Sequence, residues 1–161
     1  MASLIVQSEI RANSLEGVLY ADAAIEFAAL AQLANVSKYH LFALAIELAF
    51  KSVALRAGAS PNQCKNSAGH SVSKIITLIE SLGITVSADL KRQLMDDAWF
   101  MSMVSDRYPK LGAGPFVHSN YPEIIAGILE IHCPAGPLEF QGGSALAEIV
   151  STTQKFSSEK S

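Results

Sequence analysis

The run from Lys38 to Gly58, KYHLFALAIELAFKSVALRAG, constrains this chain more than any other stretch. Between His40 and Leu55 almost every side chain is apolar. A helix that is apolar on all sides must be buried on all sides. The polar exceptions are not scattered. His40, Glu47 and Lys51 fall at i, i+7 and i+11, so a helix sets them along one stripe. Glu47 precedes Lys51 by four residues, acid first, which is the favourable order for a helical ion pair. Gly58 then supplies a C-terminal stop.

The flanking sequence predicts helices packed around this one. Residues 1–13 read as a loose or edge segment. From Ser14 to about Val36 the pattern is helical, with Leu19, Ala23, Phe27, Leu30 and Ala34 on one face. Its many alanines favour helix and let a neighbour approach closely. The short break at Asn35–Ser37 makes this helix and the central one an antiparallel αα-hairpin. After Gly58 comes a polar connector in which Ser60 and Gln63 match a capping box for one short turn.

Ser71 opens a third helix carrying the stripe Val72, Ile75, Ile76, Ile79 and Leu82, and Gly83 stops it. Ile84-Thr85-Val86 is extended but too isolated to build a sheet. Ser87 caps a fourth helix running to about Val104, with core positions Leu90, Leu94, Ala98, Met101 and Val104. Asp106-Arg107-Tyr108-Pro109 ends it, since proline disfavours helix at the residue before it. Asn120, with Pro122 in the first turn and Glu123 three residues on, signals a fifth helix with Tyr121, Ile124, Ile125 and Ile128 on its face. Ser144 caps a last short helix bearing Leu146, Ile149 and Val150, with Glu148 near its positive end. The tail over 157–161 is expected to fray. The resulting expectation is an all-α antiparallel bundle of about five helices plus a short C-terminal helix, forming a single domain over 14–156.

Composition narrows the function classes. Hydrophobic residues make up 50% of the chain and charged ones only 17%, which points to a large buried fraction and admits a subunit interface. The formal net charge of -3 removes any global drive toward nucleic acid or anionic membrane, although a local basic patch stays open. The two cysteines, Cys64 and Cys133, make no disulfide framework. The N-terminal residues lack the basic segment and long apolar run of a signal peptide. The central helix is shorter than a bilayer span and carries Glu47 and Lys51, so no membrane association is expected and the location is read as cytoplasmic.

The chemistry-bearing residues admit two readings each. Glu47 and Lys51 form either an ion pair at the bundle edge or part of a polar cleft in which Glu47 orients a basic group for an anionic ligand. His70 stands at a helix start, where free amides and the helix dipole suit an anion, or it simply caps that helix. Arg107 closes a different helix and either joins the same site or pairs with a nearby acid. His118, His132 and Cys133 are the late metal donors, but adjacent His-Cys is not a normal tetrahedral spacing. Neither cysteine sits in a nucleophile motif, and no P-loop, dinucleotide fingerprint or nucleophile elbow is present. No metal and no cofactor is expected.

Four segments taken together resemble the HEPN superfamily. They are Leu44–Ser52, Arg56-Ala57-Gly58, the Gly69-His70-Ser71-Val72 start leading to Ile75 and Leu78, and Arg107-Tyr108-Pro109. The similarity spans roughly residues 20 to 110 and is nearest to small stand-alone bacterial HEPN proteins. It implies an all-α bundle that dimerises through its long helices and binds nucleotide or RNA. Some HEPN proteins partner a minimal nucleotidyltransferase, and many are metal-independent ribonucleases with an Arg-x(4–6)-His motif. None of Arg11, Arg56, Arg92 and Arg107 has a histidine at that spacing. The resemblance therefore implies a non-catalytic homodimeric module that binds nucleotide, RNA or a partner protein. The alternatives are a ribonuclease with a rearranged active site, and a structural partner subunit of a nucleotidyltransferase or a toxin-antitoxin-like pair. The residues carried over as lining one polar pocket are Glu47, Lys51, His70, Arg107 and Tyr108.

Overall fold

The computed structural model describes residues 2–35, 38–94, 120–133 and 144–159, with side chains from residue 13 onward apart from Ser67. Every regular element among them is helical: α1 (Ala2–Leu33), α2 (Lys38–Arg56), a π-helical turn (Gln63–Ala68), α3 (Val72–Ser81), α4 (Ala88–Leu94), α5 (Tyr121–Leu129) and α6 (Ala145–Glu159). No strand occurs among the described residues. Ile84 and Val86 are buried and Thr85 between them is exposed, so this extended stretch lays alternate side chains on the core without pairing.

The apolar run around Ile46 becomes the innermost element. Along α2, Phe42, Ala45, Ile46, Ala49, Phe50 and Val53 to Leu55 are buried, and Leu41 and Leu48 pack partly buried against the same core. It contacts α1, α3, α5 and the π-helical turn. α6 lies against α1 and α5. No helix among the described residues is long and apolar enough to cross a membrane.

α1 and α2 form the expected antiparallel hairpin, but the buried face of α1 is not the expected one. Leu19 is 67% exposed and Leu15 53% exposed, and Leu30 also faces out, with Ala23, Phe27 and Ala34 only half-buried. The inward face carries Gly17, Ala21, Ala24, Ala28 and Ala31, at i, i+4, i+7, i+11 and i+14. Small residues at this spacing let the backbone of α1 lie close to α2. A Cβ added at Gly17 would stand 2.9 Å from Arg56 Cγ and 3.0 Å from the Ser52 carbonyl oxygen. Close approach, not side-chain hydrophobicity, selects this face.

Two ends also differ from expectation. The segment over 1–13, expected to be loose, is helical from Ala2. No glycine or proline precedes Gly17, and Ala2, Leu4, Gln7, Glu9, Arg11 and Ala12 are strong helix formers, so nothing local stops the helix at Ser14. The tail expected to fray over 157–161 continues as helix through Glu159. In α6 Ile149 is buried as expected, whereas Val150 is 45% exposed.

The caps mostly follow their chemistry. Ser60 and Gln63 form a reciprocal capping box: the Ser60 amide donates to Gln63 Oε1 at 2.8 Å and the Gln63 amide to Ser60 Oγ at 3.2 Å. The Lys74 amide donates to Ser71 Oγ, the Leu90 amide to Ser87 Oγ, and the Ala147 amide to Ser144 Oγ. Val72, Ile75, Ile76 and Ile79 are buried, and the amide of Gly83 closes α3 onto Glu80. The capping box expected at Asn120 does not form. Asn120 sits at φ -116°, ψ 39°, outside the extended region an N-cap needs, and its side chain makes no cap hydrogen bond. The expected continuation of the fourth helix to Val104 lies outside the described residues.

Candidate functional site

Three of the five predicted site residues meet where α2 passes the start of α3. Lys51 Nζ donates to Glu47 Oε1 at 2.6 Å, one turn along α2. His70 reaches the same carboxylate from a different segment, with Nδ1 at 3.0 Å from Oε1 and 3.1 Å from Oε2. A carboxylate can only accept, so Nδ1 carries the proton and donates. Nε2 has no hydrogen-bond partner among the described residues. Arg107 and Tyr108, the other two predicted members, lie outside the described residues.

Burial grades these three groups. The side chains of Glu47 and Lys51 are 6% and 12% exposed, and that of His70 is 64% exposed. The carboxylate is thus an inner anchor, the ammonium is tucked beside it, and the imidazole is the group offered to solvent. A carboxylate taken from water is tolerated when its oxygens are paired and hydrogen-bonded, and both partners supply that here. The bland reading of Glu47 and Lys51 as an ion pair accounts for their own contact. It does not account for the third partner, which comes from outside α2.

The backbone around His70 is built for this placement. Gly69 takes φ 57° and ψ -124°, a conformation that a side chain would strain, and so turns the chain out of the π-helical turn. Ser71 then caps α3, leaving His70 immediately outside the helix N-terminus. The first turn of α3 contains no acidic residue of its own, and the Glu47 carboxylate held by His70 is an anionic group that the described residues bring to its positive end. His40, the first member of the predicted stripe, is half-buried on α2.

Cys64 packs nearby. Burial pushes its thiol up, Lys51 pulls it partly back, and Glu16 adds to the rise. A buried thiol held in its protonated form is a poor nucleophile.

No family model matches the chain, and neither the curated proteins nor the solved structures yield a match.

Sequence reasoning missed a second polar cluster. Arg56, only 3% exposed, donates from Nε to Ser52 Oγ at 3.2 Å and from Nη2 to the Leu129 carbonyl at 3.0 Å. Ser52 Oγ in turn donates to the Gly17 carbonyl at 2.6 Å. Burial pushes the guanidinium down from its usual range, and the neighbouring Cys133 acts in the opposite sense. Burial pushes the Cys133 thiol up, and Arg56 partly offsets this. A signal was present in the sequence, since Ser52 and Arg56 sit at i, i+4 inside an otherwise apolar run. This cluster ties α1, α2 and α5 together and offers nothing to solvent.

Proposed function

We propose that this chain is a HEPN-like, non-catalytic binding module that works as a homodimer and takes a phosphate-bearing ligand, a nucleotide or an RNA segment, at His70 and Lys51. The observation that carries the reading is the buried Glu47 carboxylate holding Lys51 and the exposed His70 side by side at the start of α3. The Lys51 ammonium, the His70 ring, whose Nε2 donates when both ring nitrogens carry protons, and the N-terminus of α3 meet there, and together they support an oxyanion as ligand. Arg107 and Tyr108 join the pocket in this reading. The homodimer is supported by the exposed leucines of α1, Leu15, Leu19 and Leu30, which sit on one face of the longest described helix. A second copy covers that face.

The test is thermal denaturation of the protein with AMP, ATP and short single-stranded RNAs. A stabilising shift is expected with at least one of them, reduced in Lys51→Ala and in His70→Ala. No shift with any of these ligands, or one unchanged in both variants, rejects the reading.

One observation favours a second reading. A histidine oriented through Nδ1 by a carboxylate, with Nε2 open, has the geometry of a general acid/base. In that reading the chain is a rearranged HEPN-type ribonuclease, with His70 as acid/base and Arg107 stabilising phosphate charge. RNA cleavage that is lost in both His70→Ala and Arg107→Ala, with folding intact, would favour it over simple binding.

A further inference from the structure

A second concave site lies between the segment running from Thr85 into α4 and the outer side of α5. Its volume is about 590 Å³, within the range of small-molecule pockets. Leu90, Ile124 and Ile131 give it an apolar wall. Asp89 and Glu123 are exposed at its edge, Gln93 and His132 also line it, and among the described residues no lysine or arginine does. It shares no residue with the Glu47, Lys51 and His70 cluster, so it stands on separate observations.

Gly127 lines the same cleft, and its presence there has no local explanation. It sits inside α5, where glycine weakens a helix relative to alanine. It has no positive φ to require it. A Cβ built there meets nothing within 4 Å among the described residues, so none of the elements they form needs the room either. Among the described residues, what the missing side chain does is leave this wall of the cleft open.

The charges fix the class of ligand. Asp89 is already paired with Arg92. Glu123 has no ion-pair or hydrogen-bond partner among the described residues. Among the described residues, an anion entering the cleft meets the unengaged Glu123 carboxylate and no lysine or arginine from the lining, whereas a cation meets that carboxylate beside an apolar wall. We propose that this cleft binds a small organic cation, a protonated amine on an apolar or aromatic body, with the amine on Glu123 and the body over Ile124 and Gly127.

Calorimetric titration of the full chain with two charge-inverted pairs tests this: tryptamine against indoleacetate, and tyramine against hydroxyphenylacetate. At least one amine is expected to bind saturably, and its matched acid roughly tenfold more weakly or worse. Glu123→Gln should weaken amine binding about fivefold or more while leaving the shape of the cleft intact. Gly127→Leu should abolish binding without lowering the melting temperature, because leucine is the better helix former and has open space to occupy. Absence of saturable binding by either amine, equal binding of amines and acids, or undiminished binding in Gly127→Leu each overturns the proposal.

Discussion

Arg56 Nη2 donates a 3.0 Å hydrogen bond to the carbonyl oxygen of Leu129, so that a buried cation caps the last residue of α5. This explains how a guanidinium survives in the core with no carboxylate bonded to it among the described residues. The final carbonyls of a helix lack partners within it and carry the negative end of its dipole, and an arginine there satisfies both deficits. Ser52 extends the arrangement to α1 by accepting from Arg56 Nε and donating to the Gly17 carbonyl.

Gly17→Ala should therefore destabilise the protein. Alanine inside a helix is worth about 1 kcal/mol over glycine. Against that, the new Cβ would lie within 3.0 Å of the Ser52 carbonyl oxygen, and overpacking a closed interface costs about 1–3 kcal/mol. The steric term is expected to win, lowering the urea midpoint. Ser52→Ala, which removes two hydrogen bonds and leaves the Gly17 carbonyl with one partner fewer, should cost about 1–3 kcal/mol by the same measurement.

Glu47 and His70 should separate in stability experiments although they touch. Glu47→Ala leaves the Lys51 ammonium nearly buried without its partner, and a loss of about 2–4 kcal/mol is expected. His70→Ala removes a mostly exposed side chain, and its cost should stay under about 1 kcal/mol. Chemical denaturation of the two variants checks this. Comparable losses would contradict the assignment of Glu47 as inner anchor and His70 as outer group.

Alkaline pH should loosen the fold through Tyr121. Burial pushes its phenol up to about 12, with Tyr39 adding to the rise. In the unfolded chain the phenol ionises near 10. The folded state holds this proton more tightly, so the contribution is fully present below about pH 10 and is lost as pH climbs from about 10 to 12, by at most about 3 kcal/mol. Tyr121→Phe keeps the ring stacked on Phe42, 5.0 Å away between centroids, and should remove this part of the alkaline loss. Urea titrations of both proteins at neutral and alkaline pH provide the comparison.

Self-association is expected to depend on the outward leucines of α1. Leu19→Glu adds a charge where 67% of the side chain is already accessible in a single chain, so the monomer fold should hold to within about 0.5 kcal/mol. A dimer seated on this face should dissociate. Sedimentation velocity of wild type and variant reads this directly, and a wild-type monomer, or a dimer indifferent to the change, counts against it.

Much of the fold was legible because local chemistry and periodicity agreed. Val72, Ile75, Ile76 and Ile79 announce a buried face, Ser71, Ser87 and Ser144 mark helix starts, and the Ser60–Gln63 capping box forms as written. The face of α1 was misread because its leucines are larger than its alanines, and hydrophobicity alone ranks size above closeness. Asn120 was misread because a capping sequence needs a backbone conformation that the chain does not take there. At the candidate site, the Glu47–Lys51 contact follows from spacing within one helix. The approach of His70 spans 23 residues and depends on the turn at Gly69, which no local pattern encodes. The Arg56–Leu129 bond, across 73 residues, lay further still from anything a short window contains.

The alanine-lined contact between α1 and α2 also bears on how the chain reaches this state. Alanine and glycine surrender no side-chain rotamers when buried, so docking these two helices freezes little beyond the backbone. The partners are neighbours in sequence, joined through residues 34–37, and closing so short a loop costs little entropy. A hairpin with both properties is the natural nucleus, and it would assemble before the distant strap from Arg56 to Leu129 is drawn tight.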